Sequence, residues 1–397
     1  MPRTFLLLAL LLPALLLTTG CDDDPTGVGG ELIGEDGATP ERALVPAATL
    51  DGRLQPTITG AQRSSTTAFT GLTTRVLAGS VDDPLAGTTT ATGYLDITLL
   101  EDATALQAGR VTGARLVLSP TYVYGDTLQA VEMVLSAIPE SWPANSLTSD
   151  TTITAGEEIT RFMADPTLPT VTVPMPEAWI AANDTTLRST QFASVFHGFE
   201  LRSATGNAVL GFDAEDSQFI VEATEDTVSF VVSQLFSNVQ NDGGGTIPDG
   251  RVLLQDGLGR ATAVTFAYTD PALQDAVVNR VSFSLQADSA AIQQAPAGFV
   301  RPALGRLNLF GEFEDGERLL LRTVEPDANG TFAFVSSTLV AGAPTLLRSI
   351  QEALLGDPPF VRYTVEPANA LGTVSPLFLV AEGDAQPALS LTFVPRN

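Results

Sequence analysis

Apolar and polar residues alternate with a period of two along most of this chain. Residues 281–286 follow the pattern closely, and so do residues 199–202 and 361–365. Such alternation is typical of strands that bury one face and leave the other in water. The alternating runs are short, and turn signals such as Asp83-Pro84 and Asn329-Gly330 separate them. The pattern therefore predicts an all-β protein built from antiparallel, jelly-roll-like β-sandwiches.

The pattern changes to a helical period at two places. Residues 345–355 carry four apolar side chains on one face, with Thr345 suited to cap the start of a helix and Gly356 suited to end it. A shorter helix is predicted at residues 176–182, around Trp179. Each half of the chain is thus expected to contain one short helix among its strands.

Three landmarks recur in the same order at a nearly constant offset. Residues 111–118 resemble residues 278–285, about 167 positions later, and residues 219–221 resemble residues 389–393, about 170 positions later. A similar interval separates the two predicted helices. We therefore predict two tandem copies of one sandwich. The predicted domains are residues 45–224 and residues 225–397.

The N-terminus predicts export and a lipid anchor. An apolar run at residues 5–17, too short to span a bilayer as a helix, is typical of a secretory signal. The Gly20-Cys21 junction resembles the lipobox of bacterial lipoproteins, although Thr18 stands where a leucine is usual. The resemblance implies cleavage before Cys21, which would then become the first residue of the mature protein and be acylated with a fatty acid such as palmitate. We expect a signal peptide at residues 1–20 and a flexible acidic tether at residues 21–44.

Composition excludes several classes of function. The chain has 46 acidic and 20 basic residues, all of the latter arginine, and its net charge of -26 makes nucleic acid and anionic lipid surfaces poor partners. The absence of lysine excludes Schiff-base chemistry and a phosphate-loop lysine. His197 is the only histidine and Cys21 the only cysteine, so a zinc site with two imidazoles cannot form. The sequence assigns no catalytic residue, no metal ligand and no cofactor, and we expect a protein that is not an enzyme.

Acidic clusters and tryptophans leave two binding interpretations open. The clusters at residues 213–216 and 312–317 lack the spacing of a calcium loop, which favours solvated turns. The same acids could include a glycosidase pair, since two carboxylates suffice for that chemistry. Trp142 and Trp179 are the two tryptophans available for a sugar-binding platform, and both look like packing residues.

Four segments carry a resemblance to a known family. They are an acidic, glycine-containing start, a turn with the order Asp-Pro-Leu-Ala-Gly-Thr and two strands, at residues 21–34, 79–88, 196–201 and 252–257. In these segments the chain resembles the uncharacterised lipoproteins of Bacteroidetes-type bacteria that carry a large domain of unknown function. The resemblance covers nearly the whole mature chain and implies sandwich-like repeats on a lipid anchor. It supplies no catalytic or ligand residue, and the family's lysine-rich surface is absent here.

These observations favour a lipid-anchored scaffold or interaction protein of the cell envelope. The alternatives are a carbohydrate-binding surface module that contacts polysaccharide and, more remotely, a glycan hydrolase with paired carboxylates. Asp22, Asp23 and Asp24 follow the anchor, and the resemblance implies that such an acidic stretch directs sorting to the outer membrane and the cell surface. The expected partners are the membrane, through the lipid on Cys21, and other envelope proteins.

Overall fold

The computed structural model describes most of the chain from Glu41 onward. The described residues are 41–53, 74–99, 106, 109–142, 153–189, 191–224, 226–258, 260–266, 268, 271–273, 276–337, 345–368, 372–383 and 385–395. The strands are β1 Glu41–Arg53, β2 Arg75–Asp83, β3 Gly87–Leu99, β4 Val111–Asp126, β5 Val131–Ala137, β6 Glu158–Ala164, β7 Val171–Pro174, β8 Phe199–Thr205, β9 Ala208–Ala223, β10 Thr227–Asn241, β11 Arg251–Gln255, β12 Ala261–Phe266, β13 Val277–Gln286, β14 Phe299–Val300, β15 Leu307–Glu312, β16 Arg318–Val324, β17 Thr331–Ser336, β18 Arg362–Pro367, β19 Pro376–Val380 and β20 Ala388–Val394. The helices are α1 Glu177–Leu187, α2 Phe192–Val195, α3 Ser289–Gln293 and α4 Leu346–Leu354. Antiparallel sheets dominate, so the predicted all-β, sandwich-like fold is confirmed.

The main strands form two sheets with the same strand order. The first sheet has the order β6-β5-β8-β3-β10-β9-β4-β7, with β14 also on β4 and β2 on both β3 and β9. The second has the order β16-β15-β18-β12-β1-β20-β13-β17, and β11 and β19 form a separate two-stranded ribbon. We call the first sheet the first sandwich, and the second sheet with its ribbon the second sandwich, because each surrounds its own apolar core.

The residue register shows that the two sandwiches are equivalent. Leu116 pairs with Phe219 in the first sandwich, and Phe283 pairs with Leu389 in the second. These two pairs are related by the offsets of the sequence repeat, 167 positions for one strand and 170 for the other. The ribbon of β11 and β19 matches the pairing of β2 with the first half of β9. The strand arrangement is therefore duplicated.

The first strand of each repeat lies in the sandwich of the other repeat. β1 begins the first repeat, yet it pairs with β20 and then with β12 of the second sandwich. β10 begins the second repeat, yet it pairs with β9 and then with β3 of the first sandwich. The first part of each strand pairs with one neighbouring strand, and the remainder pairs with another. The strand thereby extends its sheet around the apolar core. The predicted domain limit at residue 224 thus falls within the β9–β10 hairpin, and residue 44, expected to end the tether, falls within β1.

Both predicted helices are present, and each covers an equivalent strand. α1 packs on β4 and α4 packs on β13. The Thr345 hydroxyl caps α4 by accepting a hydrogen bond from the Arg348 backbone N–H at 3.2 Å, and Gly356, with φ of 84°, follows the end of the helix. The apolar face of α4 is buried in the second core. That face therefore serves packing, as the sequence indicates.

Gly79 marks a close approach of three strands. Its φ is 138°, and a Cβ atom at this position would lie 2.2 Å from the carbonyl oxygen of Ala208. At this residue β2 pairs with both β3 and β9. Because only glycine tolerates this conformation and this contact, the residue allows β2 to enter the sheet.

Candidate functional site

The residues predicted to anchor and sort the chain lie outside the described residues. They are Cys21, Asp22, Asp23 and Asp24. The structure does describe where the chain that follows them enters the fold, because β1 begins 20 residues after Cys21. Among the described residues, no helix combines the length and the apolar character that crossing a membrane requires.

Buried polar side chains lie between the two sandwiches, and we call this set of side chains the seam. It includes two aspartates at equivalent places in the repeats. Asp83 ends β2 and begins the turn to β3, whereas Asp256 follows β11 and begins the turn to β12. Both residues are almost completely buried. Although the repeat relates the two aspartates, their partners differ.

Asp83 forms a buried ion pair with Arg301, which belongs to the second repeat. The guanidinium Nε and Nη2 atoms lie 2.6 and 2.9 Å from the two carboxylate oxygens, and neither side chain is exposed. The third guanidinium nitrogen, Nη1, donates to the carbonyl oxygens of Ala291, Ile292 and Gln294 around the end of α3. The ion pair thus ties the β2–β3 turn of the first sandwich to a helix end of the second.

The partners of Asp83 keep its carboxyl ionised. Burial alone would raise the pKa of Asp83, but hydrogen bonds from Arg301, the Leu85 backbone N–H and the Tyr124 hydroxyl hold that pKa below its usual value. The Tyr124 hydroxyl lies 2.7 Å from Oδ2, and burial raises the pKa of Tyr124, so the hydroxyl remains a donor. A fully satisfied and fully buried pair is suited to holding the sandwiches together rather than to chemistry on a substrate.

Asp256 occupies the equivalent place, where the described residues supply no cation. Its Oδ2 accepts a hydrogen bond from the Thr373 hydroxyl, while its Oδ1 is buried with no hydrogen-bond partner in the described part of the chain. From the first sandwich, the Tyr122 hydroxyl accepts from the Val374 backbone N–H at 3.0 Å and lies 3.4 Å from the Ser375 hydroxyl. Removal from water raises the pKa of Asp256 to about 7, and hydrogen bonds only partly oppose this. This carboxyl therefore changes charge near neutral pH.

A pair of carboxyls with raised pKa lies on the outer face of the first sandwich. Glu200 lies opposite Tyr94 across β8 and β3, and Asp96 is two residues further along the same face. Burial raises the pKa of Asp96 to about 7 and also raises the pKa of Glu200, beside which the Arg202 Nε lies at 3.6 Å. Two carboxyls with raised pKa on one face of a strand pair are groups that general acid–base chemistry can use.

Of the acidic clusters noted in the sequence, residues 213–216 lie within β9, and residues 312–317 lie at the end of β15 and in the turn to β16. The Asp213 carboxylate accepts a hydrogen bond from the Glu215 backbone N–H, and the Asp315 carboxylate accepts one from that of Glu317. Such bonds to residues two positions ahead are typical of aspartate in turns. The predicted turn is found at residues 312–317, whereas at residues 213–216 the local hydrogen bond lies within a strand. Within the residues that the structure describes, no three His, Cys, Asp or Glu side chains form a group that could hold a metal ion.

Both tryptophans pack as the sequence indicates. Trp142 is buried and donates its indole N–H to the carbonyl oxygen of His197 at 3.0 Å. Trp179 is half-buried against Phe196 and Phe199, with ring centroids 6.5 Å away in both cases. Neither side chain forms the flat exposed surface on which sugars stack. His197 contributes its backbone to this packing.

Comparison with known proteins adds no identification. No protein-family model matches the chain, and no curated protein matches it. Sequence reasoning missed the seam, because the Asp83-Pro84 pair signals a turn but not burial, and nothing near Arg301 marks it as the partner of a residue 218 positions away.

Proposed function

We propose that the protein is a lipid-anchored scaffold or interaction protein of the outer membrane, exposed at the cell surface and not catalytic. In this proposal the lipid on Cys21 holds the chain at the membrane, and the sandwiches bind other envelope proteins. The aspartates at positions 22 to 24 direct sorting.

The observation that carries this proposal is the position of β1. The chain that leaves Cys21 becomes, 20 residues later, an interior strand of the second sandwich, where β20 pairs with its first half and β12 with its second half. A flexible spacer of that length reaches about 25 Å. The second sandwich would therefore lie near the membrane. Force on the anchor would enter the fold through backbone hydrogen bonds of an interior strand, which suits a load-bearing scaffold.

The sheet edges and the seam support binding of other proteins. Among the described strands, β6 and β16 each pair with one neighbour only, and they expose Met163 (59%) and Leu320 (50%). An edge strand with accessible apolar side chains can pair with a strand of another protein. The buried ion pair of Asp83 and Arg301 would hold two such edges in one assembly.

Two sets of substitutions test the anchor and the sorting signal separately. Cys21→Ser should abolish fatty-acid labelling and release the protein from membranes. Replacing the three following aspartates with asparagine should keep the label while reducing protease access in whole cells. Membrane fractionation unchanged by Cys21→Ser would refute the anchor, and recovery of the wild-type protein in the inner-membrane fraction would refute the proposed location.

One observation favours glycan hydrolysis as a second candidate function. Asp96 and Glu200 are diagonal neighbours on antiparallel strands, a relation that places residues about 7–8 Å apart. Side chains on residues at that separation can bring their carboxyl groups to the spacing of paired carboxylates in glycosidases. A panel of glycans incubated with the wild type and with Asp96→Asn tests this candidate. Turnover that the substitution abolishes would favour the hydrolase over the scaffold, and the absence of turnover would leave the scaffold preferred.

A further inference from the structure

The exchange of first strands between the repeats has a consequence for association. In the first sandwich, β9 continues through a hairpin into β10, which fills the position between β9 and β3. In the second sandwich, the equivalent position between β20 and β12 is filled by β1, and the entire first repeat separates β1 from β12 in the sequence. We call this position the β1 slot.

The β1 slot is a binding site for a strand that is not contiguous with its neighbours. Six residue pairs join residues 41–46 to β20, and residues 47–53 pair with β12. Without a strand in the slot, β12 and β20 would each present a row of unpaired backbone N–H and C=O groups to solvent or to another chain. The second sandwich is therefore incomplete until the slot is filled.

We propose that the β1 slot also accepts residues 41–53 of a second copy of this chain, so that copies can associate by exchanging β1. This inference does not depend on the lipid anchor or on the proposed location. The exchanged form would contain the same backbone pairs as the closed form, because the same strand fills the same slot. Exchange between identical chains is for this reason a low-cost route to association.

Two opposing terms set the balance between closed and exchanged chains. Within one chain, the connection of β1 to β2 through 21 residues, 54–74, gives β1 a high effective concentration at its own slot. Between chains, the net charge of -26 on each copy opposes approach, and salt screens this repulsion. We therefore expect exchanged chains to form when the proteins fold together at high concentration, and in larger amount at higher ionic strength.

A disulfide across the slot tests the proposal. Arg42 pairs with Thr392, both side chains reach solvent at least in part, and opposite residues on antiparallel strands lie within disulfide distance. In a Cys21→Ser background, which removes the only native cysteine, one variant carries Arg42→Cys and another carries Thr392→Cys. The two are unfolded, mixed, refolded together and treated with a mild oxidant. A disulfide-linked dimer of one variant with the other can form across the slot only if β1 has been exchanged.

Two controls are needed to interpret the yield of disulfide-linked dimer. The double variant Arg42→Cys with Thr392→Cys on one chain should give an internally linked monomer, which tests the register. Asp315→Cys, in an exposed turn, replaces Thr392→Cys to measure random collision. We expect the in-register mixture to give at least about tenfold more linked dimer than this control. Equal yields from both mixtures, or failure of the double variant to form its internal link, would overturn the proposal.

Discussion

Replacement of Asp256 with asparagine tests whether the seam contains a destabilising buried charge. Burial raises the pKa of this carboxyl to about 7 in the folded protein, whereas its ordinary value is 3.8. An acid whose pKa is raised by folding causes no loss of stability below its ordinary pKa. The loss grows as the pH rises from the ordinary value to the folded value, and it is constant above that. The wild type should therefore lose stability from this group between about pH 4 and pH 7.

The size of the effect follows from the difference between the two pKa values. About three pKa units correspond to about 4 kcal/mol of unfolding free energy. Asparagine carries no charge, and its carbonyl oxygen can accept the hydrogen bond that the Thr373 hydroxyl gives to Asp256. Burying its amide N–H groups without an acceptor would cost about 1–3 kcal/mol. We expect the variant to be about 1–3 kcal/mol more stable than the wild type at about pH 8, and no more stable at about pH 4.

Urea unfolding, followed by circular dichroism at both pH values, measures this difference. Asp315→Asn is the matched control, because Asp315 lies in an exposed turn and asparagine can keep its hydrogen bond from the Glu317 backbone N–H. The control should show no comparable dependence on pH. If Asp256→Asn changed the unfolding free energy equally at the two pH values, or destabilised the protein at the higher one, the assignment of a buried, unpaired carboxylate would be refuted.

Three further substitutions test the packing by urea unfolding. Arg301→Met should destabilise the protein by about 3–5 kcal/mol, because it leaves the buried Asp83 carboxylate without its cation; a loss no smaller in the double variant with Asp83→Asn would contradict this cause. Gly79→Ala should cost about 2–4 kcal/mol through strain against Ala208, and a neutral result would show that β2 can shift. Thr345→Ala should cost about 1 kcal/mol by removing the cap of α4, while Thr345→Ser should restore it.

The sequence identified the strands and helices well because local patterns encode them. Alternation at residues 281–286 places Val281, Phe283 and Leu285 in the second core, and that stretch lies in β13. The helix expected at residues 345–355 is observed as Leu346–Leu354, with Thr345 as its cap. In each case the residues that carry the pattern lie within a few residues of the element that they form. The alternation of apolar side chains and the capping side chain are therefore enough to predict the element.

The tertiary structure alone decided which strands are neighbours and which polar groups become buried. The constant offset between similar segments of the sequence indicated a duplication. The residue pattern of β1 and β10, however, does not show that each strand lies in the sandwich of the other repeat. Likewise, Asp83 and Asp256 look like ordinary turn residues in the sequence, yet Asp83 meets Arg301, whereas no cation of the described part of the chain lies beside Asp256. Strand pairing and desolvation depend on residues up to hundreds of positions apart, whereas alternation and capping depend on neighbours. The sequence by itself therefore determined the elements, and long-range packing determined their exchange and the chemistry of the seam.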